Sequence, residues 1–313
     1  MKTIKAIIIA IVTLILLTGC QKSDKKAGEK DNVIEVPEQQ YLSDEILQEA
    51  INEEISKALD VGNEHIIEEA TNIINLIKDA LSDIMDKDYF DANIKLGKAI
   101  SKAELIDMIG SENARITTEL NVHVRNKVQD IQTARKIQQR VDSLLDLGHL
   151  QKARSLLNNL AQEINIRRES ISIPKYTEIL EKARTQIDNK NYGVAILTIN
   201  DLLDRRLVEK RRIPIPLIKA QRMIEEAKKM LTKKNAEKKN IFIILDNASY
   251  QLKFAETLGY GLENNEYDNL YASIKKIKDG INENNVNQAR KTAKALDNKL
   301  NDFKEIISDN IIT

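Results

Sequence analysis

Apolar residues recur at three- and four-residue steps along most of the chain, and this spacing constrains the fold more than any other feature. One apolar stripe runs from Ile66 to Ile84, and Asn63 can cap the start of that helix. The aromatic content of 4% and the presence of only four prolines also favour helix over sheet. We therefore expect a mainly α domain, with helices over 46–59, 63–84, 89–109, 127–147, 150–163, 175–189, 193–205, 217–232, 237–258, 267–281 and 286–308.

Tight polar turns that end in a small residue separate several of these helices. Three turns lead to Ala153, Ala195 and Ala289, and a related turn leads to Ala92. A small side chain directly after a turn lets two antiparallel helices approach closely, so each turn predicts a helical hairpin. Successive alanines are 61, 42 and 94 residues apart, which indicates antiparallel helical hairpins packed irregularly and not a regular tetratricopeptide array.

Short extended segments interrupt the helical period at three places. Polar and apolar residues alternate near 118–125 and 164–173, and more weakly near 206–213. We expect these segments to pair into a small β element. Pro174 and Pro214 follow two of them and can occupy the first turn of the next helix, where a missing N–H costs nothing.

The N-terminus has the pattern of a targeting segment. Lys2 and Lys5 precede twelve largely apolar residues over 6–17, which is the length of a signal-peptide core and too short to span a bilayer. The apolar run closes on Leu17, Thr18, Gly19 and Cys20, which resembles the bacterial lipobox. This pattern predicts that residues 1–19 are a lipoprotein signal peptide that is removed and that Cys20 carries lipid. An ordinary signal peptide and an uncleaved anchor are the alternatives.

The predicted anchor fixes the expected location and organisation. Residues 20–40 are polar and lack apolar periodicity, so we expect a lipid-anchored flexible tether, followed by a helical domain over 41–313. Gln21 is not the aspartate that retains many lipoproteins at the inner membrane. In a Gram-negative cell the expected location is the periplasmic face of the outer membrane. Because Cys20 is the sole cysteine, no disulfide is expected.

The charge balance argues against nucleic acid as a partner. Removal of Lys2 and Lys5 leaves 46 basic against 48 acidic residues. The charges are uneven, since 44–107 holds 16 acids against 6 bases, whereas 205–239 holds 13 bases against 4 acids. The basic region is either a surface for anionic lipid or an acidic partner, or it pairs internally with the acidic helices.

The sequence offers no arrangement typical of an active site. Its three histidines, His65, His123 and His149, are not spaced to share a metal, so no metal and no cofactor are predicted. Serine-nucleophile and phosphate-loop motifs are also absent, and we expect no enzyme activity. His123 lies in a predicted strand and is a candidate pH sensor; the alternative is a surface position.

Aromatic residues concentrate around one late helix-turn-helix, beside Gly259 and Gly261. Such rings could form a binding groove where glycine permits close approach, or they could form the core of a hairpin. The candidate groove residues are Tyr250, Phe254, Tyr260, Tyr267 and Tyr271.

Several segments resemble the YfdX family of bacterial envelope proteins. They are IPKYTEILEKA at 173–183 within the run that starts at Ile164, the turn before Ala195, RIPIPLIKA at 212–220, and FAETLGYG at 254–261. The resemblance is best over about 160–265 and extends over 45–308. It implies a secreted, mostly helical protein associated with envelope or acid stress, without a catalytic residue to transfer.

These observations lead to one functional expectation and one alternative. We expect a lipid-anchored, non-enzymatic envelope protein that binds or scaffolds other envelope proteins, because helical hairpins provide contact area without chemistry. Its partners would be the membrane, through lipid on Cys20, and an envelope protein. The alternative is a protein that binds a small molecule or anionic lipid through the basic region 205–239 and the aromatic hairpin 250–271.

Overall fold

The computed structural model describes residues 36–59, 64–109, 115–233, 236–262, 265–308 and 311–312. Within them the chain is mainly helical with a small antiparallel sheet, so the predicted fold class is confirmed. The described helices are α1 (Asp44–Leu59), α2 (Glu64–Met85), α3 (Tyr89–Ile109), α4 (Ile131–Asp146), α5 (Leu150–Leu157), α6 (Ile173–Asp188), α7 (Tyr192–Asp204), α8 (Ile215–Met230), α9 (Lys238–Thr257), α10 (Glu266–Asn282) and α11 (Val286–Ile307). The strands are β1 (Arg115–Asn126), β2 (Gln162–Ser172), β3 (Leu207–Pro214) and β4 (Ile311–Ile312).

Most helices lie within a few residues of their predicted bounds, and the clearest exception is the predicted helix over 150–163. Helix α5 ends at Leu157, and β2 begins at Gln162. The prediction was wrong here because Glu163 is paired on both sides, opposite Arg125 of β1 and Pro214 of β3. Ladder hydrogen bonds to two neighbours decide the conformation of a segment whose own apolar spacing is ambiguous.

Four helix-to-helix turns share one hydrogen-bond geometry. In each, a residue with positive φ follows the helix, and the next residue donates its N–H to the carbonyl five positions earlier, over 2.7–2.8 Å. This is the Schellman arrangement, which satisfies carbonyls left free at a helix end. The buried alanine after each turn then packs against the preceding helix. The positive-φ residues are Lys87, Gly148, Lys190 and Asn284, and the alanines are Ala92, Ala153, Ala195 and Ala289.

The sheet has the order β1-β2-β3-β4, and each of its pairings is antiparallel. Ile164, Ile166 and Ile213 pack from it against α1 and α8. Pro174 occupies the first turn of α6, as predicted. Pro214 is instead the N-cap residue that precedes α8, and Pro216 is the proline in the first turn of that helix.

Two larger apolar cores join most helices of the described structure. One joins α8, α9, α10 and α11, and the other joins α2, α3, α6 and α7.

The compact unit begins at Val36, whereas the sequence placed the domain start at residue 41. Among the described residues, no helix has both the length and the apolar character needed to cross a membrane.

Candidate functional site

A cleft of about 390 Å3 opens where the N-terminal segment, α1, α8 and α9 meet the connection between β1 and α4. Its walls come from five separate parts of the chain. The lining residues are Val36, Pro37, Gln40, Asp44, Leu47, Gln48, Ile51, Asn126, Gln129, Asp130, Gln162, Lys219, Met223, Asn247, Tyr250 and Gln251.

Asn247 on α9 fixes the wall formed by the N-terminal segment. Its Nδ2 donates to the carbonyl of Gln39 over 2.9 Å, and its Oδ1 accepts the N–H of Tyr41 over 2.9 Å. The side chain is only 4% exposed, so water does not compete for these bonds. Leu42 follows in the buried core. Residues 36–42 are therefore part of the folded domain.

Hydrogen bonds also fix the opposite wall. The buried Gln162 donates from Nε2 to Oδ1 of Asn126 over 2.7 Å and to the carbonyl of Val128. Asp130 caps α4, and the N–H of Thr133, which donates to Oδ1 over 2.7 Å, helps to lower the pKa of Asp130.

Tyr250 joins this wall to α9. Its hydroxyl oxygen accepts the N–H of Ile131 over 3.3 Å, and burial raises the pKa of the phenol.

Lys219 is the cation of the cleft. It lies on α8 between the buried residues Ile218 and Ala220 and is itself half-buried. Burial lowers its pKa, and the nearby Asp44 carboxylate offsets part of this effect. In the parts of the chain that the structure describes, no carboxylate oxygen lies within 4.0 Å of its ammonium nitrogen. Lys219 therefore has lost water without gaining an ion pair.

The rest of the lining supplies neutral hydrogen-bonding groups. Seven lining residues are asparagine or glutamine, and the described lining contains no serine, cysteine or histidine. Amides and one ammonium can orient a ligand that carries an anionic group beside neutral polar groups. This set therefore provides the contacts needed to bind and orient a ligand.

The five aromatic residues of the predicted groove have different surroundings. Only Tyr250 lines the cleft, whereas Phe254 and Tyr267 are buried and Tyr260 and Tyr271 are half-buried. Tyr267 packs edge-on against Phe303 at 5.1 Å between ring centroids.

Hydrogen bonds also hold the hydroxyl groups of this aromatic hairpin. Tyr267 donates to the carbonyl of Tyr260 over 2.7 Å, and Tyr271 donates to Glu256 over 2.9 Å. The Tyr260 oxygen accepts the N–H of Gln162 over 3.0 Å. These three phenols therefore brace the hairpin and the start of β2.

The other predicted residues lie apart from the cleft. His123 is exposed on β1, opposite Asn165 of β2, and its imidazole makes no hydrogen bond with any described residue. Leu17, Thr18, Gly19 and Cys20 lie outside the described residues.

The basic region 205–239 does not form one continuous cationic surface. Arg222 lies between Glu49 and Glu53 of α1, at 3.9 and 3.8 Å. Arg206 pairs with the buried Glu169 over 2.8 Å, and Arg205 pairs with Asp201. Arg211 and Lys228 pair with carboxylates of α11. Lys229 lies 3.6 Å from Glu226, so internal pairing accounts for six of these cations.

Comparison with known proteins relates part of the chain to one family. Residues 73–212 match the YfdX protein family. This match includes 173–183 and the turn before Ala195, on which the resemblance was based, and it ends before 254–261. The cleft residues on α1, α8 and α9 lie outside the YfdX match.

Solved structures give a weaker similarity. Three chains match, and one of them is the YfdX protein of Salmonella Typhi. It is 10% identical, with a TM-score of 0.33, and the alignment covers 47% of this chain and 91% of that chain. Among curated proteins, no sequence matches the chain.

Proposed function

We propose that the chain is a non-catalytic binding protein of the bacterial cell envelope, anchored by lipid on Cys20, that holds a small anionic ligand in the cleft at Lys219. The half-buried ammonium without a carboxylate partner carries this proposal. A cation in such a position is costly in the empty protein, and an anionic ligand removes that cost.

The composition of the lining narrows the ligand class. Asp44 and Asp130 also border the cleft and repel a ligand of high negative charge. Glutamine and asparagine side chains favour hydroxyl, amide or carbonyl groups. The best match is a small carboxylate with neutral polar groups next to it. This is the small-molecule alternative predicted from the sequence, with one lysine of the basic region and one tyrosine of the hairpin in the site.

A thermal-shift titration tests the binding proposal. N-acetylglutamine and lactate, which are monocarboxylates with neutral polar groups, and inorganic phosphate are added separately to the full chain, to Lys219→Met and to Lys275→Met. Lys275 is an exposed lysine on α10, away from the cleft lining, and serves as the matched control. A ligand at about 100 times its Kd stabilises a folded protein by about 2.7 kcal/mol.

We expect at least one carboxylate to raise Tm in the unmodified chain and in Lys275→Met, and to leave Lys219→Met unchanged. Equal shifts in all three chains would place the binding elsewhere. Stabilisation by none of the three anions would contradict the proposal, because even weak carboxylate recognition appears at tens of millimolar ligand.

Scaffolding of another envelope protein is the second candidate, and an exposed apolar patch favours it. Tyr89 and Tyr192 stack at 3.6 Å and bring together the tips of the α2–α3 and α6–α7 hairpins. Phe90, the residue after Tyr89, is 75% exposed, and Leu197, further along α7, is 69% exposed. Exposed apolar patches mark interaction sites.

Cross-linking in intact envelopes tests this second candidate, and it should capture a partner protein that the Phe90→Ser variant no longer binds. A role in envelope stress stays a prediction from the family resemblance.

A further inference from the structure

The α4–α5 hairpin ends in an exposed, leucine-rich tip. Residues 145–150 are six consecutive exposed positions around the Gly148 turn, and they include Leu145, Leu147 and Leu150. Leu147 and Leu150 are 69% and 65% exposed. The hairpin has its own small core of Val141, Leu144 and Ala153, so these three leucines are not needed to hold its helices together.

Basic side chains outnumber acidic ones along the body of this hairpin. The sequence from Ile131 to Leu157 contains five basic residues and two acidic ones, Asp142 and Asp146, and all seven are exposed. In the described structure none of the five cations lies within 4.0 Å of a carboxylate. They are Arg135, Lys136, Arg140, Lys152 and Arg154. This hairpin differs from the basic region 205–239, where acidic neighbours pair with six of the cations.

We infer that the α4–α5 hairpin docks on an anionic phospholipid surface, with its leucine tip in the interface and its basic side chains at the headgroups. Apolar residues at the end of an element and cations behind them match the two layers of such a surface. The single acid within the tip, Asp146, is outnumbered by Arg140, Lys152 and Arg154 nearby in the sequence. The inference concerns a surface separate from the Lys219 cleft.

The apolar patch at the paired hairpin tips has the opposite charge setting, which makes it a control. Leu197 is 69% exposed, as Leu147 is. Leu197 lies on α7, which contains Asp201 and Asp204 and no basic residue, and the turn beside Phe90 contains Asp86, Asp88 and Asp91 against Lys87. Anionic lipid is repelled there, so apolar exposure alone does not predict membrane contact for both patches.

Tryptophan fluorescence tests the inference, because the chain contains no tryptophan. Leu147→Trp and Leu197→Trp are prepared in the full chain and mixed with vesicles of brominated phosphatidylcholine, with and without phosphatidylglycerol. We expect a blue shift and bromine quenching for Leu147→Trp in the anionic vesicles only. Leu197→Trp should keep the emission of an exposed indole in both vesicles.

A charge variant separates the headgroup contribution from the tip. In the Leu147→Trp chain, the added pair Arg140→Glu and Lys152→Glu should weaken partition into anionic vesicles by at least about tenfold, since each surface cation contributes about a fivefold change. Replacement of Gln139 and Gln151 by glutamate gives a control that adds the same two carboxylates and keeps both cations. This control should lose less affinity than the charge variant.

Three results would overturn the inference. The first is an unquenched Leu147→Trp chain in anionic vesicles, and the second is equal quenching of Leu197→Trp. The third is a blue shift of Leu147→Trp that grows with protein concentration in the absence of vesicles, because a second copy of the chain would then cover the tip.

Discussion

Lys219 and its neighbours on α8 have opposite effects on the stability of the fold. Leu217, Ile218 and Ala220 are buried, and their burial stabilises the helix against α9 and the sheet. The same packing removes water from the lysine between them, so its pKa falls. A residue that weakens the empty fold and lies in a cleft is typical of a binding site.

Replacement of Lys219 should therefore stabilise the protein without ligand. We expect Lys219→Met to gain about 1 kcal/mol in the free energy of unfolding at neutral pH, measured by urea denaturation. The folded-state pKa lies below the ordinary lysine value of 10.5, so the cost of the charged lysine is fully present below that folded pKa. It disappears as pH rises through 10.5. The advantage of Lys219→Met should shrink over that alkaline window, and an advantage that grows there would contradict the assignment.

A lysine on α11 is fully buried and has the carboxylate partner that the half-buried Lys219 lacks. Lys304 of α11 is 2% exposed, and its Nζ lies 3.2 Å from Oε2 of Glu54 on α1, which is 7% exposed. Removal of the Glu54 carboxylate leaves the Lys304 ammonium buried without this partner, whereas Glu54 itself also lies 3.5 Å from the exposed Lys57. We expect Glu54→Gln to destabilise by about 3–5 kcal/mol in chemical denaturation.

The double variant is the control for this ion pair. Glu54→Leu combined with Lys304→Met removes both charges and should be neutral or stabilising by about 1–4 kcal/mol, because no unpaired charge remains. A double variant as unstable as Glu54→Gln would show that packing, and not the charge, sets the cost.

At the scale of elements, the hairpin turns follow from local sequence and the helices from apolar spacing. A polar turn followed by a small residue predicted each of the four hairpins. In the structure, each of the four turns has a residue in the left-handed conformation directly after the helix. Both signals are local, which is why these bounds could be predicted. The predicted helix over 150–163 failed where strand pairing, a non-local interaction, determined the end of α5.

Substitutions in the turns test this geometry. Gly148 has φ of +72°, and a Cβ there would meet no atom within 4 Å, so the cost of Gly148→Ala is conformational. We expect a loss of about 1 kcal/mol in the free energy of unfolding. Lys190 has φ of 61° in the equivalent turn. We expect Lys190→Gly to raise the free energy of unfolding by about 0.5–1 kcal/mol, because glycine adopts this conformation without strain.

Gly193 supplies the matched control for the turn variants. It lies within α7 at ordinary φ, and a Cβ there also has open space. Gly193→Ala should stabilise by about 0.5–1 kcal/mol because alanine is the better helix former. If both alanine variants changed stability in the same direction, backbone conformation would not explain the turns.

The cleft depends on the whole molecule and could not be assembled from sequence. Asn247 and Gln39 are 208 positions apart, and their hydrogen bond forms one wall. The sequence does show Lys219 as a single charge between apolar residues of a helix that starts Ile-Pro-Leu-Ile. Whether Lys219 has an acidic partner depends on the tertiary structure, in which the nearby carboxylates Glu49 and Glu53 pair with Arg222 instead. Charge counts over 44–107 and 205–239 cannot show which cations have a carboxylate partner and which do not.

The proposed lipid anchor is also tested on the whole molecule, by replacing Cys20. We expect Cys20→Ala to keep the chain in the unprocessed form and without lipid, because the thiol is the acyl acceptor. Membrane fractionation with metabolic labelling by a palmitate analogue measures this. Thr18→Ser should leave labelling intact, and labelling of the Cys20→Ala chain would exclude Cys20 as the attachment point.

Native mass spectrometry of protein extracted from its own envelope tests the central claim most directly, because one spectrum reports both anchor and ligand. The account predicts a chain that starts at Cys20 with acyl mass, carrying a small anionic adduct that Lys219→Met lacks and Lys275→Met keeps. A chain that retains Met1 and a free thiol, or one whose adduct persists in Lys219→Met, would contradict it.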